Sequence, residues 1–155
     1  MPKLEILENK KLVLKNVLIK ELRNIKIDDL EKELKDFEKS LDLLKVQIFG
    51  PLIIKTGGAY IGEDGVMTVD YEFFAQAHDF RQYKNTFLIK ERFECPYCAY
   101  IRFEGSPSDI HYAHSKLELH FYERELESNG EVYSVILEDS EHRMVIDIFK
   151  PVVRL

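Results

Sequence analysis

The sequence predicts an α+β fold in which one strand-helix-strand-strand module is written twice, the copies related by a pseudo-twofold, with antiparallel sheets and two helices packed on them. Three observations carry this reading. Each of two helix-like stripes is preceded by a long strand-like run, and each is followed by two shorter strand-like runs joined by a turn. The closing runs also hold Val69-Asp70-Tyr71 and Ile146-Asp147-Ile148 at corresponding places. A chain of 155 residues with 45% apolar side chains is the size of one domain able to bury a core. The copies are therefore expected as repeats of a single domain, at residues 11–76 and 87–152.

Met1 to Lys10 shows no periodicity and reads as a leader or a short edge strand. From Lys11 to Arg23 the residues Leu12, Val13, Leu14, Val17, Leu18 and Ile19 crowd a run whose alternation slips at Asn16, which predicts a strand with a bulge or bend. Asp28 and Asp29 are the expected N-caps of a helix. Its stripe is Leu30, Leu34, Phe37, Leu41 and Leu44, the spacing of a helix packed on a sheet. Gly50-Pro51 reads as a break before a strand at Leu52 to Ile54, and Gly57-Gly58 and Asp64-Gly65 read as turns. Met67, Val69, Tyr71 and Phe73 then alternate with polar residues, as in a half-buried strand. Ala77 to Thr86 is polar and serves as the connector.

The second copy opens on the strand Phe87 to Gly105. A period of two puts Phe93, Cys95, Tyr97, Ala99, Ile101 and Phe103 on a core face and Glu94, Pro96, Cys98, Tyr100, Arg102 and Glu104 on the other. Ser106-Pro107-Ser108-Asp109 supplies a turn and caps for a helix lined by Ile110, Ala113, Leu117 and Phe121, with Asn129-Gly130 as its stop. Val132 to Leu137 and Met144 to Phe149 close the module as two strands, and Pro151 ends the pattern.

A net charge of −6 leaves no basic footprint for nucleic acid or an anionic membrane, and favours cationic ligands or a basic protein partner. No basic leader precedes an apolar run and no stretch approaches membrane-span length, so a cytoplasmic protein is expected. Cys95 and Cys98 with His111 and His114 come close to a zinc-finger spacing. The histidines stand one residue too near each other, and the cysteines fall on opposite faces of a straight strand, so no metal is expected. A redox dithiol is set aside as well, because thioredoxin-like pairs open a helix. Tyr71, Phe73, Tyr97, Tyr100, Tyr122 and Tyr133 are the candidate pocket residues, since flat rings give contact area and hydroxyls give orientation. His120 is a further candidate for the same cleft, and Asp70 and Asp147 are a candidate acid pair. No GxSxG, P-loop, HExxH or dinucleotide fingerprint is present, so catalytic residues are unknown and no cofactor is expected.

On Phe93 to Gly105, Gly50-Pro51-Leu52-Ile53, Asp64-Gly65 and Ile148-Phe149-Lys150-Pro151-Val152, the chain resembles the gyrase-inhibitor-like effector-binding domains, from about Lys11 to Val152. These occur attached to AraC- and MerR-type transcription regulators and also alone. The resemblance implies an aromatic cleft between the two repeats that binds a small hydrophobic, amphipathic or cationic molecule. It implies as alternatives a protein-interaction module or a hydrolase of strained ring compounds. Cation-binding members carry a buried Glu where this chain has Ser134, which adds Ser134 to the candidate site and bears on charge preference. No helix-turn-helix segment precedes the pattern, so direct nucleic-acid reading is not expected.

Overall fold

A computed structural model describes residues 4–153. The elements are β1 (Ile6–Lys26), α1 (Leu30–Leu43), β2 (Ile48–Ile61), β3 (Met67–Ala77), β4 (Leu88–Gly105), α2 (Ile110–Glu123), β5 (Val132–Asp139) and β6 (Met144–Pro151). This is the α+β order expected, strand-helix-strand-strand twice over. The described residues form two compact units, one of residues 14–93 and one of residues 94–153 together with 4–13.

In the first unit β3 is central, antiparallel to β1 on one side and to β2 on the other. Leu18 and Phe73 are fully buried, and Phe37 of α1 sets its ring 5.6 Å from that of Phe73 and 5.8 Å, edge-on, from that of Phe87. The helical stripe therefore docks through Phe37 and Leu41, which are buried, while Leu44 at its end is exposed.

β1 is 21 residues long, well beyond an ordinary strand, and it bends at three asparagines. Asn9, Asn16 and Asn24 have φ of 57°, 54° and 56°, a region asparagine tolerates better than most residues. The slip expected at Asn16 falls on its left-handed backbone, the β1–β3 register shifts between Leu22 and Ile25 beside Asn24, and side chains accept from amides at both places. Gln76 accepts from the Lys15 amide at 2.9 Å, and Asp70 accepts from the Asn24 amide at 2.9 Å.

Two glycine signals mark bulges where breaks or turns were expected. Gly50 has φ 70° and the β2–β3 register slips between Phe49 and Ile53, within a strand already running from Ile48. Gly57-Gly58 lies inside β2 at a second slip, where a Cβ on Gly57 would sit 3.2 Å from the Asp70 carbonyl. Glycine is used there for close strand approach. Asp64-Gly65 is a true reversal, with Gly65 donating to the Gly62 carbonyl at 2.9 Å.

In the second unit β6 is central, antiparallel to β5 and β4. Ala99, Ile101, Phe103, Ile146 and Ile148 form a core with Ala113, Leu117 and Phe121 of α2. Neither helix uses the expected aspartate cap. Asp29 and Asp109 already have ψ of −5° and 2°, whereas a capping side chain needs extended backbone, and a short 3-10 turn leads into each helix. Both helices end alike, on a left-handed Lys45 or Glu125 followed by an amide reaching five residues back: Val46 to the Leu41 carbonyl at 3.0 Å, and Leu126 to that of Phe121 at 2.9 Å. That closure satisfies the terminal carbonyls, so α2 stops before Asn129-Gly130.

Lys150 is buried on the α2 side of β6, paired with Glu118 and 4.7 Å from the Phe121 ring. Burial, then the nearby Lys150 charge, hold the His114 imidazole below its ordinary pKa. A depressed histidine contributes stability that is present above its unfolded pKa of about 6.5 and lost as pH falls toward the folded value. Denaturation midpoints are therefore expected to fall between about pH 7 and 5, with a shallower slope in His114→Gln; an unchanged slope would remove His114 from the account. Phe37→Ala is expected to cost about 3–5 kcal/mol in urea unfolding. Exposed Leu43→Ala should stay within about 0.5 kcal/mol of the parent.

Candidate functional site

Paired residues of neighbouring strands share a sheet face, and this sorts the second unit's side chains. Ile101 and Ile148 pair and lie under α2. On the other face, Tyr100 of β4 pairs with Phe149 of β6, and Phe149 pairs with Tyr133 of β5. These make one aromatic row across three strands, with the Tyr100 and Phe149 ring centroids 5.1 Å apart. The next row is Arg102, Asp147 and Val135.

Asp147 joins the rows. Its Oδ1 accepts from the Tyr100 hydroxyl at 2.7 Å and from Arg102 Nε at 2.7 Å, and its Oδ2 accepts from Arg102 Nη2 at 3.0 Å. The carboxylate side chain is only 14% exposed, while the Arg102 side chain is 48% exposed. Burial, together with the bond to Asp147, pushes the Tyr100 hydroxyl above its ordinary pKa, and the bond to Asp147 likewise raises Arg102. Tyr100 thus stays a neutral donor and Arg102 a cation through the physiological range. At the far end, Arg143 reaches Glu138 at 3.3 Å and Glu104 at 3.5 Å.

The other candidates go elsewhere. Tyr71 and Phe73 are buried on the α1 face of β3, where burial raises the Tyr71 hydroxyl. Ser134 pairs with Ile148, which places it on the α2 side of its sheet, opposite Tyr133. Tyr122 is 83% exposed on α2, and His120 lies 2.9 Å from Glu8 Oε1 near the start of β1. Asp70 is held by the Asn24 amide and by Arg23 at 3.5 Å. Tyr97 departs from its assigned core face: its φ is 59°, it is half exposed, and Cys98 is buried in its place. Left-handed backbone at Tyr97 breaks the two-residue period, so the cysteines do not lie on opposite faces. Among the described residues no three His, Cys, Asp or Glu side chains gather as metal ligands, and no helix is long and apolar enough to cross a membrane.

Solved structures with the same architecture are found at low sequence identity. The EcmrR C-terminal domain matches with a TM-score of 0.64 at 12% identity, covering 99% of this chain and 98% of that one. A hydrolase encoded by lin2189 from Listeria innocua matches at 0.56 and 13%, covering 97% and 92%. SAV2435 bound to tetraphenylphosphonium matches at 0.51 and 10%, covering 98% and 94%. The likeness is one of fold. No protein-family model matches the chain, and no curated protein sequence does. The sequence-level resemblance to effector-binding domains is thus supported at the level of architecture.

Phe149 was absent from the sequence-level candidates. It stands two residues after Asp147 on the same strand, so the alternation Asp147, Phe149 against Ile146, Ile148 is the signal that finds it. Tyr100→Phe is expected to lose about 1.5–3 kcal/mol, the worth of a hydrogen bond to a charged acceptor, without altering the circular dichroism spectrum. A loss confined to experimental error would show that the Tyr100 hydroxyl bond carries no weight.

Proposed function

We propose that this chain is a small-molecule-binding protein whose ligand stacks on the partly exposed Tyr100 and Phe149 rings, with buried Tyr133 packed beside Phe149 as their support and Asp147 as the acceptor for a positively charged or hydrogen-bonding group. The observation that carries the reading is a little-exposed carboxylate beside an aromatic row, neutralised by an arginine that is itself half in water. A lipophilic cation can take the place of Arg102 at Asp147, the guanidinium turning to solvent while the rings supply contact area and cation–π attraction. Burying a ligand's charge is tolerable only beside an opposite one. Asp147 supplies it on β6, whereas the family's Glu position holds Ser134. The bound tetraphenylphosphonium of SAV2435 supports this reading by fold analogy. Tyr97, half exposed farther along β4, is the proposed rim.

A protein partner is the second reading. It is favoured by Tyr112, Leu119 and Tyr122, which stand exposed on α2 of a chain with net charge −6.

The test is a thermal shift with tetraphenylphosphonium against neutral triphenylphosphine oxide. A ligand at a hundredfold its dissociation constant adds about 2.7 kcal/mol, a midpoint rise of roughly 5–10 °C at this chain length. Asp147→Asn should lose the preference for the cation, and Phe149→Ala should weaken both ligands. A flat response to both ligands moves the protein-partner reading into first place.

A further inference from the structure

We infer that Cys95 and Cys98 form a redox-active dithiol, oxidised reversibly to an intramolecular disulfide by low-molecular-weight disulfides. The pair is set by the left-handed Tyr97 between them. A bulky aromatic residue at φ 59° is strained, and such strain persists only where the surrounding structure holds it. The holding contact is the Val152 amide, which donates to the Tyr97 carbonyl at 2.9 Å, one residue from the Cys98–Pro151 pair of β4 and β6.

The bulge has a chemical result. It folds the two side chains together, with the Cys98 Sγ 3.6 Å from the Cys95 Sγ and 3.5 Å from the Cys95 carbonyl oxygen. A disulfide bond is about 2.05 Å long, so side-chain rotation has a short distance to close. Zinc would require four converging ligands, and no third His, Cys, Asp or Glu joins the pair among the described residues. Two sulfurs alone suit the dithiol–disulfide couple.

The two thiols differ in access. Cys98 is buried while Cys95 is partly exposed. The Cys98 S–H lies toward the Cys95 sulfur, and that bond, with burial, pushes the Cys98 thiol up, which leaves the accessible Cys95 as the sulfur that meets an oxidant first. Cys95 thiolate therefore attacks one sulfur of the oxidant, releasing one thiol and leaving a mixed disulfide on Cys95. The Cys98 sulfur then attacks the Cys95 Sγ, and its proton passes to the thiolate that this attack expels, which leaves as the second thiol. Two cysteine thiols and one external disulfide become one internal disulfide and two external thiols. Excess reduced thiol runs the sequence backward.

The test equilibrates the folded chain with graded ratios of reduced and oxidised glutathione, quenches in acid, and measures mass and alkylatable thiols. The expected result is one transition in which both thiols disappear together, the mass falls by two hydrogens, and no glutathione is retained. Cys98→Ser should instead accumulate glutathione on Cys95. Because Cys98 is buried, that variant is supported by Cys95→Ser, in which the remaining thiol should stay reduced across the series. Retention of glutathione on the parent chain, or two alkylatable thiols at the most oxidising ratio, would overturn the inference.

Discussion

Everything in this fold depends on how two overlong strands are allowed to break. β1 and β4 run for 21 and 18 residues, and a strand of that length cannot keep every side chain on its assigned face while it twists. Each left-handed residue re-aims the side chains beyond it and leaves a backbone amide or carbonyl to be satisfied. Gln76 and Asp70 answer for breaks in β1, and the Val152 amide answers for the one at Tyr97. Without such partners a buried break would leave an unpaired polar group.

Much of this was legible in the sequence because it rests on local patterns. The helical stripes and the alternation of β3 follow from periods of 3.6 and 2, and the Asp64-Gly65 reversal from its turn residues. Asn16 was visible as a slip in phase. Tyr97 was not, because proline and tyrosine carry no left-handed signature and its constraint comes from Val152, 55 positions later in the chain. Gly50 and Gly57 misled for the opposite reason: glycine signals backbone freedom, and whether that freedom serves a turn or a bulge is decided by the partner strand.

The candidate site was legible in part. Tyrosine-rich strands announce aromatic surface, but which sheet face a ring occupies depends on register. Tyr71 and Phe73 went beneath α1 because Phe37 needed a floor, while Tyr100 and Tyr133 fell on the face away from α2. Asp147 was visible as an acid on a polar face. Its value lies in its contacts with the neighbouring strand, which only the pairing discloses.

Asp70 and Asp147 occupy corresponding strands of the two copies, and each faces an arginine. Their partners nonetheless commit them differently. Asp70 also holds the Asn24 amide, so drawing it away would leave a bulge of β1 without that acceptor. Asp147 is held by the side chains of Tyr100 and Arg102, the second of them half exposed. The two copies thus place equivalent acids in different service, one tied to the backbone of a neighbouring strand and the other held by side chains alone, so that the loss of its partners would not unravel the strand that carries it.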